Sequence, residues 1–160
     1  MRKAQLTEIF SVVIVIFVLA ISSIFGSYFL TQFNTQLNNT TNDSSITNLV
    51  NQGNENFKNS IDGMVLVFAG ILIVGAGILA FILPTHPIFI IISVISLFFL
   101  IPISNIIKDV YFDMTNQTVL NSTAVFYSNT NVVFSNLPVI FLIANIIFII
   151  VMFLKEMVLQ

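Results

Sequence analysis

Cysteine and tryptophan are absent from this 160-residue chain, and charged side chains make up only 8% of it. The lack of cysteine excludes a disulfide framework, a thiolate metal site and a cysteine nucleophile. Five Lys and Arg residues against seven Asp and Glu residues leave a formal charge of −2, so the basic surface that nucleic-acid binding needs is missing. Soluble domains carry about 25% charged residues, and this chain falls far below that value.

Apolar residues take the place of the missing charges, since they make up 57% of the chain and raise the mean hydropathy to +1.02. This composition indicates a membrane protein. A membrane-spanning helix needs about 20 apolar residues to cross about 30 Å of hydrocarbon. Four runs without a charged residue come near that length, and we predict a span in each: 9–30, 64–83, 88–107 and 137–154.

The first run follows Arg2 and Lys3, as in a secretory signal, but it is longer than the roughly 7–15 residues of a signal's apolar core. We therefore expect it to be an uncleaved anchor, and the alternative is a signal cleaved near the small residues Ser22, Ser23, Gly26 and Ser27. The second and third runs are separated only by the turn 84–87, whose prolines end one helix and begin the next, so these runs form an antiparallel hairpin. His86 is interpreted as a residue of that turn, because no neighbouring ligand completes a metal site.

The basic residues predict the orientation of the four spans. Arg2, Lys3 and Lys155 lie on the side of the two termini, whereas Lys58 and Lys108 lie on the other side. Basic residues favour the cytoplasmic side, and those directly before the first span usually dominate. We therefore expect both termini in the cytoplasm and both long connections outside it.

The two long connections, 31–63 and 108–136, differ in character. The first is rich in asparagine and too poor in apolar residues for a core of its own, but Phe33 and Leu37 continue a helical stripe from the first span. We expect the two neighbouring helices to project beyond the bilayer there. In the second connection, the alternation over 110–114 and the later β-branched and aromatic pieces favour short strands.

The glycosylation pattern N-x-[S/T] occurs only in these two outer connections. Its placement agrees with the predicted orientation, although connections so rich in Asn, Thr and Ser also produce such triplets by composition alone. The possible acceptors are Asn38, Asn39, Asn42, Asn116 and Asn121.

Asn145 stands near the middle of the fourth span, where its carboxamide needs a partner because hydrocarbon offers none. We favour a hydrogen bond that joins helices over a ligand or ion contact. Ser93 and Ser96 share one face of the third span at a similar depth, so they are the first expected partners. The carbonyl of Phe98, which Pro102 leaves without a helical donor, is the second. A kink at Pro102 is interpreted as a packing adjustment rather than a gate.

Small residues recur along the second span, and three of them share one face. Ala76 and Ala80 form a small-xxx-small pair, and Ala69 extends the same face one heptad earlier. Small side chains let helix backbones approach closely in a membrane. We expect this face to pack against another helix.

Sequence patterns typical of catalysis are missing. The chain contains no G-x-S-x-G, no H-E-x-x-H and no Walker-type glycine loop, and no carboxylates are paired within the apolar runs. We therefore expect no enzyme activity, no cofactor and no metal.

The order of spans, outer connections and tight turn matches tetraspanins and claudins in outline, but those families carry extracellular cysteines. From the segment 2–8, Arg-Lys-Ala-Gln-Leu-Thr-Glu, leading straight into the first span, and from Ser-Asn-Leu-Pro at 135–138 opening the last, the chain more closely resembles small multi-span membrane proteins of archaeal and bacterial viruses and their hosts. This resemblance assigns no functional residue.

The sequence thus predicts an all-α membrane protein of four spanning helices, with a small cap of two polar connections that includes some short β structure. The expected function is that of a structural or assembly subunit in a larger membrane-embedded complex of a cell or virion membrane. Its expected partners are lipid and either further copies of the chain or other membrane subunits. The alternative is an oligomeric pore former or small transporter, with polar residues of the spans lining the path.

Overall fold

The computed structural model describes residues 3–40, 44–82 and 87–158, and their secondary structure is helical. The segment 84–86, with His86, and the acceptor Asn42 therefore lie outside the described residues. Six helices occur in the described ranges: α1 Lys3–Thr40, α2 Ser44–Ile82, α3 Pro87–Thr115, α4 Thr118–Ala124, α5 Ser128–Ser135 and α6 Leu137–Val158.

Four of the helices are long and apolar enough to cross a membrane, which confirms the predicted fold class. Their candidate spans are Ile14–Leu37, Ser45–Ile82, Ile88–Thr115 and Leu137–Lys155. Helices α1 and α2 also continue through most of the polar connection 31–63, as the stripe of Phe33 and Leu37 predicts.

The predicted short strands in 108–136 are wrong, because the described residues contain no strand. Helix α3 continues to Thr115, and α4 and α5 follow it. A strand in this segment would need a second strand for its backbone hydrogen bonds, and the described part of the chain provides none. Helices satisfy most backbone groups locally, so β-branched side chains at these positions do not prevent helix formation.

The chain divides into two compact units. The first comprises Met1–Val65 and Tyr111–Asn131, and the second comprises Leu66–Val110 and Val132–Gln160. In the first unit, α4 packs against α1. One face of α1 is buried through Ile16, Ala20 and Ile24, at helical spacing.

The core of the second unit is centred on one face of α6, where Leu137, Phe141, Ala144 and Met152 are buried. The opposite faces of the spanning helices expose large apolar side chains, as expected for surfaces that contact lipid. Pro102 lies inside α3, which continues through it as a helix.

Candidate functional site

A buried carboxylate organises the first unit. Asp62 lies on α2 just before its apolar run, and only 7% of its surface is exposed. One carboxylate oxygen, Oδ1, accepts hydrogen bonds from the backbone N–H of Thr130 at 2.7 Å and from its hydroxyl at 2.7 Å. The other, Oδ2, accepts one from the backbone N–H of Asn129 at 3.0 Å.

These two N–H groups belong to the first turn of α5, where a helix has no internal acceptors for its donors. A side chain just before the helix usually supplies the missing acceptor, but here Asp62 supplies it from a position 67 residues away in the chain. The negative charge also stabilises the positive end of the helix dipole. Asp62 therefore fixes the start of α5 to α2.

Tyr127, the residue before α5, provides a second connection. Its side chain is fully buried, and its hydroxyl donates to the backbone carbonyl of Ser23 at 2.9 Å. The hydroxyl also lies 2.6 Å from Ser27 Oγ. Because a phenol has one proton, Ser27 must donate in that second hydrogen bond. The two bonds hold the α4–α5 turn against α1.

The electrostatics of Tyr127 favour the neutral phenol that this pattern needs. Burial raises the pKa of Tyr127 above its usual value of 10.0, and the nearby Asp62 charge raises it further, against the hydrogen bonds with Ser27 and Ser23, which lower it. At neutral pH the phenol is therefore protonated and can donate to Ser23.

A third connection runs from α3. The hydroxyl of Tyr111, whose side chain is buried, donates to Oδ1 of Asn131 at 2.7 Å. The carboxamide of Asn131 donates in turn to the carbonyl of Ala124 at 3.0 Å, near the end of α4. We call the whole network the Asp62–Tyr127 cluster, and it comprises Ser23, Ser27, Asp62, Tyr111, Tyr127, Thr130 and Asn131.

The side chains of the Asp62–Tyr127 cluster form hydrogen bonds between helices. Both oxygens of Asp62 accept hydrogen bonds from the first turn of α5. Within the part of the chain that the structure describes, no group of three His, Cys, Asp or Glu side chains could hold a metal ion. The cluster joins α1, α2 and α3 to the α4–α5 segment.

A further polar seam joins α1 and α2 beyond the cluster. The carboxamide of Asn34 donates to Asn51, and that of Asn54 donates to Thr31 Oγ1 at 3.1 Å. The paired positions run in opposite directions along the two helices, as in an antiparallel hairpin. The side-chain oxygens of Asn34 and Asn54 are buried and accept no hydrogen bond from the described residues. This seam pairs the polar ends of α1 and α2, but the two unsatisfied side-chain oxygens reduce the stability that it provides.

In the second unit, the structure brings Asn145 together with Ser93 and Ser96. Ser93 is buried, and its hydroxyl donates to Asn145 Oδ1 at 2.9 Å. The Asn145 Nδ2 group lies 3.3 Å from Ser96 Oγ and 3.4 Å from the Ser93 carbonyl, and it donates to both. The Asn145 carboxamide thus uses both its oxygen and its nitrogen in hydrogen bonds to α3.

Replacing Asn145 by leucine should weaken the contact between α3 and α6 by roughly 0.6–2 kcal/mol, the usual range for such a bond in a membrane. Thermal unfolding in mild detergent measures this effect. The matched control is Asn105→Leu, because Asn105 is exposed on α3 and donates only to the carbonyl of Ile101, within its own helix. A leucine at 145 with unchanged or higher thermal stability would contradict the role in packing.

The small-residue face of α2 is mostly covered. Ala69 and Ala80 are buried, and Ala76 is half-buried. The close approach to α6 occurs at Gly77, where an added Cβ would lie 3.4 Å from Ile147 Cγ2. The sequence pattern singled out Ala69, Ala76 and Ala80, but it did not indicate that Gly77 lies against Ile147 of α6.

The possible glycosylation acceptors are placed as follows. Asn39, Asn116 and Asn121 are exposed. The side chain of Asn38 lies outside the described residues, as does Asn42. Asn39 lies in the last turns of α1, and Asn121 lies within α4.

Comparisons with protein families, with curated proteins and with solved structures give no match for this chain.

Proposed function

We propose that the protein is a non-catalytic structural or assembly subunit of a larger membrane-embedded complex, in a cell membrane or a virion membrane. The observation that carries this proposal is the use of its buried polar groups. Asp62 caps α5, Tyr127 binds α1, and Asn145 binds α3. These groups hold helices together, and pumps and proton-coupled carriers instead need ionisable groups along a path.

The alternative, an oligomeric pore or small transporter, needs polar side chains that face a common axis between copies. The candidates from the sequence are Ser22, Ser23, Ser93, Ser96 and Asn145. Four of them are engaged within one copy, since Ser23 donates to the carbonyl of Ala20 and the other three bond to one another. Ser22 is exposed. A path lined by one hydroxyl per copy is poorly suited to ions, so we prefer the structural role.

The purified protein should form a homo-oligomer or retain other membrane subunits, and reconstituted alone it should conduct nothing. Its outward apolar faces offer contact area to lipid and to neighbouring subunits, while its four apolar runs carry no charge. Native mass spectrometry from mild detergent gives the stoichiometry, and planar-bilayer recording tests conduction. Reproducible single-channel currents that change in Ser22→Val but not in Ser45→Val, a matched exposed serine near the start of α2, would favour the pore.

We further propose that both termini are cytoplasmic and that the α1–α2 connection lies on the opposite side. Arg2 and Lys3 before the first span support this orientation. The chain has no cysteine, so single cysteines can be introduced without background. In intact cells, a membrane-impermeant maleimide should label Thr40→Cys directly and Met157→Cys only after permeabilisation. Labelling of both positions from the same side would contradict the orientation.

A further inference from the structure

The α4–α5 segment, α4 with the turn after it and α5, has an apolar surface that the rest of the described chain leaves largely exposed. Leu120, Thr123 and Ala124 of α4 are buried. On the other side, Val125 is 68% exposed and Phe126 is 65% exposed, and Val119 is also exposed. Three exposed apolar side chains within eight residues, in a connection outside the four apolar runs, favour a partner that is itself apolar.

The height of this segment along α1 is set by the hydrogen bonds of Tyr127. Its two partners, Ser23 and Ser27, lie within the apolar run 9–30. Ser27 lies only about 4.5 Å before Leu30, the end of that run, at about 1.5 Å per helical residue. By the same measure, α1 continues for about 20 Å beyond Ser27 to reach Thr40.

The contact with α2 gives the same height. Asp62, which binds the first turn of α5, lies two residues before Met64, where the apolar run of α2 starts. The α4–α5 segment therefore lies level with the ends of both apolar runs. It does not lie beside the far ends of α1 and α2, near Thr40 and Ser44.

Lys58, a charged neighbour of the segment, agrees with a position at the end of the apolar runs. The ammonium group of Lys58 lies 4.5 Å from the ring centroid of Phe126. Lys58 is one helical turn from Asp62 on the polar side of the apolar run. Lysine side chains beside aromatic rings are typical of the membrane–water interface, where the stem lies in the apolar region and the ammonium group meets lipid phosphates.

We propose that α4 and the turn after it lie in the membrane–water interface, in the leaflet nearest the α1–α2 connection. Val119, Val125 and Phe126 insert among the upper acyl chains, and Lys58 faces the phosphate layer. The partner of this surface is lipid, not a second copy of the chain. The backbone N–H groups of Val125 and Phe126 donate within the segment, to the carbonyls of Asn121 and Thr123 at 3.2 and 3.1 Å, so these two residues enter lipid without unpaired backbone donors. This placement is independent of whether the complex is structural or conducts.

The test uses tryptophan as a depth probe, because the natural chain contains none. Phe126→Trp reports on the proposed interface. Two control positions are similarly exposed: Leu49→Trp at 69%, on the polar projection, and Phe98→Trp at 76%, within the third span. Each variant is reconstituted in phosphatidylcholine vesicles, and the quenching of its tryptophan fluorescence by aqueous acrylamide is measured. In parallel, quenching is measured in vesicles that contain phosphatidylcholine brominated either near the headgroup or deep in the acyl chain.

We expect shallow bromines to quench Phe126→Trp more than deep bromines or acrylamide do. Leu49→Trp should respond mainly to acrylamide, and Phe98→Trp should respond mainly to deep bromines. If Phe126→Trp behaves like Leu49→Trp, the segment stands in water and the proposal is overturned. If neither bromine nor acrylamide reaches it, a second copy covers it and the proposal is equally overturned. Val125→Trp repeats the measurement should Phe126→Trp fail to fold.

Discussion

Replacing Asp62 by alanine should produce the largest loss of stability of any single substitution considered for this protein, roughly 3–5 kcal/mol. The variant leaves three donors of Asn129 and Thr130 without their acceptor, and the two of Thr130 are buried, where each unsatisfied donor costs about 1–3 kcal/mol. The bonds to the two backbone N–H groups are also the cap of α5, so the usual cost of losing a helix cap, about 1 kcal/mol, is part of this loss and not an addition to it. The free energy of unfolding of a protein is typically only about 5–15 kcal/mol, so the variant should unfold at a clearly lower temperature than the wild-type protein.

Thermal unfolding in detergent, followed by far-ultraviolet circular dichroism, measures this loss. The matched control is Asp113→Ala, since Asp113 is an exposed carboxylate at the end of α3. The melting temperature of Asp62→Asn should lie between those of Asp62→Ala and the wild type, because the amide keeps one acceptor oxygen but loses the charge. Equal melting temperatures for Asp62→Ala and Asp113→Ala would refute the capping role.

Tyr127→Phe should be the second most damaging change, with an expected loss of about 1–3 kcal/mol. The ring still fills its buried site, but Ser27 Oγ loses its acceptor and the Ser23 carbonyl loses a donor. In a double-mutant cycle, Ser27→Ala should add little to Tyr127→Phe, since the two substitutions remove the same hydrogen bond. Strict additivity would show that the bond contributes nothing.

Tyr28→Phe is the control for this pair, because Tyr28 lies only half-buried on the same helix as Ser27. The pH dependence gives an independent readout. Since burial raises the pKa of Tyr127, its neutral form stabilises the fold fully below the usual value of 10.0, and this contribution declines as the pH rises through the higher pKa of the folded state. The stability of Tyr127→Phe should therefore fall less than that of the wild type as the pH rises above 10.0.

The contact of Asn145 with Ser93 and Ser96 could be anticipated from the sequence because depth in a membrane helix increases linearly with residue number. At about 1.5 Å per residue, positions in two spans that cross the same slab can be matched in height by counting residues from the span ends. The continuation of α1 through Phe33 and Leu37 follows from the same helical periodicity. Both inferences depend only on local geometry.

The Asp62–Tyr127 cluster could not be anticipated in this way. Its position depends on how the connection after α3 folds back, and the β-branched residues there favour strands when they are considered alone. Asp62 stands directly before an apolar run in the sequence, but nothing near it indicates that its partner is the first turn of α5, 67 residues later. The residues 128–131 at the start of α5 are as typical of a turn as of a helix start, so the sequence alone does not show that a helix begins there.

The distant cap of α5 has a consequence for the order in which the chain folds. An eight-residue helix is too short to persist alone in water, so α5 gains its stability from its docking site. Tyr127 likewise reaches partners 100 and 104 positions earlier in the chain. During synthesis, α1 and α2 emerge first and present Asp62, Ser23 and Ser27 as a template. We therefore expect the α4–α5 segment to dock onto α1 and α2 as a late step of biogenesis.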